Sequence, residues 1–129
     1  VQKIKFGTDG WRAIIADDFT VENVARVTEA TGIWLKKTYA NPSVIVGHDC
    51  RFAGELFMET AVKVLVAQGI PVRMSRGFVS TPMISLAALN LLAAISIVTS
   101  GLKNAYQSRY PAAVVVFPLC LGIIAMVFR

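Results

Sequence analysis

Residues 43–76 read SVIVGHDCRFAGELFMETAVKVLVAQGIPVRMSR, and this stretch decides the fold. Ser43–Gly47 is a short, β-branched apolar run, the pattern of a strand buried on both faces. His48-Asp49-Cys50-Arg51 follows as a polar loop. Over 54–68 the residues Leu56, Phe57, Ala61, Val64 and Leu65 fall on one helical face. Gly69 ends that helix and Pro71 prevents its resumption. Val72–Arg76 is again a short strand. Strand, helix and strand at this spacing predict a parallel pair joined by a helical crossover. In such sheets ligands bind beyond the C-terminal ends of the strands.

The flanking residues extend the pattern. Lys3–Phe6 alternates polar and apolar, Gly7-Thr8-Asp9-Gly10 has loop chemistry, and Trp11–Ala16 reads as a short strand. Thr20 is a good helix cap, with Glu22 in the first turn facing the helix dipole. Val24, Val27, Thr31 and Trp34-Leu35 recur at helical spacing, and Asn41-Pro42 stops the run, which predicts a helix over about 20–39. Ser80-Thr81-Pro82 opens a third helix expected to reach about Leu92, and Ile95–Val98 is expected as a fourth strand. The expected class is therefore α/β, with a mainly parallel (mixed) sheet covered by helices. Ala112–Phe128 carries no charge and has Pro118 in its middle. It is short for a membrane helix, which needs about 20 apolar residues. The preferred reading is one or two buried core strands, AAVVVF and LGIIAMVF, separated by Pro118, ahead of a membrane span.

Composition narrows the function classes. An apolar fraction of 55% in 129 residues excludes intrinsic disorder. Two cysteines, Cys50 and Cys120, are too few for a disulfide scaffold. The net charge is +5, but the bases are scattered rather than gathered on one helix, so no nucleic-acid partner is expected. All eight acids and ten of the thirteen bases precede residue 90; after it come Lys103, Arg109, Arg129 and no acid. The chain opens VQKIKFGTDGWR without a basic-plus-apolar leader, so a reduced, cytoplasmic setting is the expectation.

Three loops are expected at one sheet edge. In Gly7-Thr8-Asp9-Gly10-Trp11-Arg12 the glycines let the backbone approach an anion, and Arg12 can grip phosphate with a bidentate fork. Gly-Thr-Asp-Gly taken alone is also an ordinary turn. In the second loop Asp49 and Arg51 can pair with one another. The third, Val98-Thr99-Ser100-Gly101, offers two hydroxyls at a strand end. His48 reads as a hydrogen-bonded loop residue rather than a catalyst.

FGTDGWRA at 6–13, VGHDCRFAGELF at 46–57 and GFVSTPMISLA at 77–87 together resemble the α-D-phosphohexomutases, the phosphoglucomutase and phosphomannomutase family. The resemblance covers residues 3 to about 100 and corresponds to the N-terminal domain of four. It implies transfer of a phosphoryl group between the 1- and 6-positions of a hexose phosphate through a phosphoserine, with Mg²⁺ beside that phosphoserine. Matching SIVTS at 96–100 to the family strand before the motif T-A-S-H-N-P puts Ser100 on the phosphorylated serine. Arg12 would then act at the phosphate, with Thr8, Asp9, Gly10 and Thr99 shaping the loops around it. Asp49 and Arg51 carry over more weakly, as partners at the same edge. As a phosphoserine Ser100 would also touch the metal, whose other ligands belong to the family's second domain. The chain departs from the motif where Gly101-Leu102-Lys103 replaces His-Asn-Pro.

The expected organisation is an N-terminal-like domain over 1–100 and a divergent apolar tail over 101–129 that completes it. A frameshift, a truncation or fusion, and a tail rebuilt from other material each account for the change of character near residue 90. A single domain of this kind is expected to be inactive alone. The alternatives are a non-catalytic interaction module, self-associating through the apolar tail, and, ranked last, a small membrane-anchored protein.

Overall fold

A computed structural model describes residues 3–7, 10–100, 114–119 and 122–127. Its framework is an α/β sandwich. Helix α1 spans Val21–Thr38 and α2 spans Gly54–Ala67, with strand β3, Ser43–His48, between them and β4, Val72–Phe78, after them. Two two-residue strands precede α1: β1 is Phe6–Gly7 and β2 is Gly10–Trp11. Helix α3 covers Thr81–Ser100, and the last strands are β5, Val114–Leu119, and β6, Gly122–Val127.

Local chemistry sets most of these boundaries. The Thr20 side chain accepts from the Asn23 N–H at the start of α1, and Lys36 and Lys37 occupy its last turn. Helix α2 ends in a Schellman motif: Gly69, at φ +76°, donates to the Val66 carbonyl, and Ile70 donates to that of Leu65. A side chain at Gly69 would be strained in this left-handed conformation.

The sheet is mixed, in the order β4-β3-β6-β5. Strands β3 and β4 are parallel, from Val44 opposite Val72 to Val46 opposite Met74, and the register then shifts so that His48 faces Phe78. Strand β6 runs antiparallel to both β3 and β5. Alternation along β3 feeds two layers. Val44 and Val46 join a core with Phe57, Met58, Ala61 and Leu65 of α2, to which α1 adds Val24, Val27 and Leu35. The opposite face, at Gly47, meets Ile84 of α3.

Three expectations are corrected. The residues expected to form a fourth strand, Ile95–Val98, lie inside α3, which continues past Leu92 to Ser100. No glycine or proline interrupts the chain between Pro82 and Gly101, Leu and Ala favour helix, and a short apolar run does not distinguish a buried strand from a buried helix. The strand expected over Trp11–Ala16 is confined to Gly10–Trp11, paired with Phe6–Gly7 as a hairpin; Ile15 and Phe19 form an isolated bridge around the turn that follows. Pro118 does not separate the final strands but lies within β5, opposite Ile123. It is tolerated because β5 is an edge strand, where one side of the backbone needs no ladder donor. Of the one or two strands expected near the C-terminus, two are present, β5 and β6. Among the described residues no helix is long and apolar enough to cross a membrane.

Candidate functional site

The C-terminal ends of the parallel strands β3 and β4 form one edge. His48, the last residue of β3, is 5% exposed. Its Nδ1 lies 3.0 Å from the Asp49 carbonyl oxygen, and its ring meets Phe78 edge-on at 5.3 Å. The Val79 N–H donates to the His48 carbonyl at 2.9 Å, which fastens the exit of β4 to the exit of β3. His48 is thus a bonded, packed residue, as its position in the sequence suggested.

Asp49 organises the loop that follows. Its Oδ1 accepts from the Arg51 N–H at 3.0 Å, and its Oδ2 lies 3.3 Å from Arg51 Nε. The two therefore pair, the simplest reading of their spacing. Ala53 adopts a left-handed conformation at φ +60° and starts α2 without a side-chain cap; the Gly54 N–H reaches back to the Arg51 carbonyl. A Cβ at Gly54 would sit 3.2 Å from both His48 Nδ1 and the Asp49 oxygen, so the close approach of helix and strand favours glycine.

The first loop is a hairpin rather than a free turn. Gly10 has φ +119°, which a side chain rarely adopts. Trp11 is 2% exposed and stacks on Phe19 at 4.5 Å, and Phe19 meets Phe57 of α2 edge-on at 4.8 Å. Arg12, the next residue, is exposed. Thr8 and Asp9 lie outside the described residues.

Thr99 and Ser100 are the last two residues of α3 rather than the end of a strand. Helix α3 begins at Thr81, two residues beyond the Val79 that bonds His48. At a rise of about 1.5 Å per residue, Ser100 stands about 28 Å along the axis from Thr81. The His48–Arg51 loop and the exit of β4 thus meet at one edge, while Thr99 and Ser100 close the far end of α3. Sequence reasoning overlooked Trp11, Phe19 and Phe78 as organisers of these loops. The available signal was an aromatic residue directly beside each loop, in Gly10-Trp11-Arg12 and in Gly77-Phe78-Val79.

Among the described residues no group of three or more His, Cys, Asp or Glu side chains could hold a metal ion. The described part of this chain therefore offers no such donor set for the Mg²⁺ implied by the resemblance.

Residues 3–110 match the family model for phosphoglucomutase/phosphomannomutase, alpha/beta/alpha domain I. The chain belongs to the phosphoglucomutase/phosphomannomutase family. The layering of α1 and α2, the sheet and α3 agrees with that domain's description. A phosphoglucosamine mutase of Shouchella clausii is 34% identical over 104 residues, which are 81% of this chain and 23% of that protein. One from Halalkalibacterium halodurans is 31% identical over 99 residues, 77% of this chain and 22% of its own length. One from Campylobacter concisus is 32% identical over 104 residues, with 81% and 23% covered. The chain thus spans less than a quarter of the length of these curated relatives. No solved structure matches it.

Proposed function

We propose that this chain serves as the first domain of a phosphohexomutase acting on a hexose phosphate, the amino-sugar phosphate class named by its relatives being the first to test. The observation that carries the reading is the family match over residues 3–110, beside relatives of which the aligned stretch is less than a quarter. In this reading the domain brings phosphate-facing loops to a site that other domains complete, and it has no mutase activity by itself. Arg12 neutralises and orients a phosphoryl group, and Thr8, Asp9 and Gly10 are the proposed phosphate-loop residues beside it. Ser100, beside Thr99, is the proposed phosphoryl carrier: its Oγ takes the phosphoryl group from a sugar bisphosphate, whose oxygen takes the serine proton. Asp49 and Arg51 hold the loop at the β3–β4 edge, at the opposite end of α3 from Ser100. Sugar phosphate is the proposed ligand, and a cytoplasmic setting follows from that substrate class.

The test supplies the chain with the remaining domains of the Shouchella clausii enzyme, adds a hexose 1,6-bisphosphate labelled in its phosphates, and maps the label by mass spectrometry. Label on Ser100, abolished by Ser100→Ala, is the expected result. Label absent from Ser100 in a complex that retains mutase turnover would overturn that assignment. A second reading, an interaction module that binds a mutase or another copy of itself, is favoured by Phe52 and Phe78, which are 80% and 68% exposed beside the same edge. Light scattering that shows only monomer at high concentration, with no mutase bound, would count against it.

A further inference from the structure

We infer that Trp11 is a positioning residue: through Phe19 and Phe57 it ties the backbone that carries Arg12 to the first turns of α2, and so to the loop held by Asp49 and Arg51. A hairpin of two-residue strands has little stability of its own, so its place is set by what it packs against. Here the most deeply buried part of that anchor is the Trp11 side chain, beside which Ile4, Ala13 and Ile15 pack on the core. Alternation turns Trp11 inward, almost fully buried, and turns Arg12 outward. The Trp11 ring lies nearly parallel to Phe19, at 23°, and Phe19 stands perpendicular to Phe57, at 87°. Offset stacking and edge-to-face contact are the preferred aromatic geometries, and each restricts the rotation that simple apolar filling would allow. Phe19 is itself fixed, its N–H donating to the Ile14 carbonyl at 2.9 Å. Phe57 is the fourth residue of α2 and donates its N–H to the carbonyl of Ala53, the residue that closes the Asp49–Arg51 loop. The aromatic chain therefore joins two loops that are forty residues apart in sequence.

The functional meaning rests on reading both loops as parts of one phosphate-facing edge, but the coupling itself is measurable without a ligand. Amide hydrogen exchange on the full chain, read by mass spectrometry, compares Phe57→Leu with Leu35→Ala, a buried α1 variant outside the aromatic chain. Phe57→Leu is expected to speed exchange in 6–12 about fivefold beyond the control at matched loss of global stability. At Trp11 itself, Trp11→Phe keeps a ring to stack and holds exchange near the original rate, whereas Trp11→Leu raises it. This pair decides the matter even if Phe57→Leu does not fold. In a Trp34→Phe background, Phe57→Leu shifts Trp11 emission to the red and opens it to acrylamide. Uniform acceleration across the chain, or equal rates for Trp11→Phe and Trp11→Leu, overturns the proposal. Coupled exchange together with an unlabelled Ser100 leaves the positioning intact and removes only the catalytic reading.

Discussion

Gly47 offers the sharpest test of how α3 sits on the sheet. It lies in β3, and a Cβ built there would come within 2.4 Å of Ile84 Cδ1 and 2.5 Å of Val79 Cγ2. Both distances are below those real Cβ atoms show, so Gly47→Ala forces Ile84 of α3 and Val79, between β4 and α3, to move. Overpacking a core by one methyl group costs about 1–3 kcal/mol. Alanine recovers about 0.5–1 kcal/mol, because glycine loses more chain entropy on folding. The net change therefore lies between about 0 and 2.5 kcal/mol of loss, a fall of up to about 10 °C in Tm for a domain of this size. The assay is urea unfolding followed by circular dichroism, with Ile84→Val as the second arm of a double-mutant cycle. Ile84→Val removes Cδ1, the atom nearest the new methyl group, and alone costs about 0.5–1.5 kcal/mol. Together the two substitutions are expected to cost about 1 kcal/mol less than their sum. Strict additivity in the double variant would show that Ile84 of α3 does not press on β3 at Gly47 and would refute the reasoning.

Other substitutions probe single contacts. Thr20→Ala removes the oxygen that accepts from the Asn23 N–H at 3.2 Å, and should lower stability by about 1 kcal/mol in the same unfolding assay. Thr20→Gly should cost only a few tenths of a kcal/mol. Gly10→Ala places a side chain at φ +119° and is expected to cost about 1–3 kcal/mol, with faster proteolysis of the β1–β2 hairpin. Asp49→Asn keeps an oxygen for the Arg51 N–H and should cost less than about 0.5 kcal/mol, because the ion pair it loses is largely exposed. Asp49→Ala removes that acceptor as well and should cost about 1 kcal/mol; equal losses for the two variants would assign the contact to charge rather than to the turn.

Much of the architecture was legible in the residues because its causes are short-range. Thr20, the apolar repeat from Val24 to Leu35, and Asn41-Pro42 delimit α1 without reference to any other part of the chain. Gly69 and Pro71 do the same for the end of α2, and Ser43–Gly47 announces a buried strand by composition alone. The candidate site was legible only in its parts. Asp49 and Arg51 are close enough in sequence for their pairing to be foreseen, and the three motifs pointed to the family that the comparison then showed. The aromatic beside the β4 exit was visible as Phe78, but its partner His48 was not, because the two meet across strands thirty positions apart.

By itself the sequence determined that the chain is α/β, where its first two helices and the parallel strand pair lie, and to which family it belongs. These follow from caps, periodicity and motif residues within a few turns of one another. Only the tertiary structure decided the fate of the apolar segments after residue 90, where Ile95–Val98 lengthens α3 and Pro118 joins β5. It alone decided that β6 enters the sheet antiparallel between β3 and β5, and that Trp11 closes onto Phe19 and Phe57. An apolar run states that it must be buried, but not in which backbone form or against which partner. That choice belongs to the surfaces that the rest of the chain leaves to be covered.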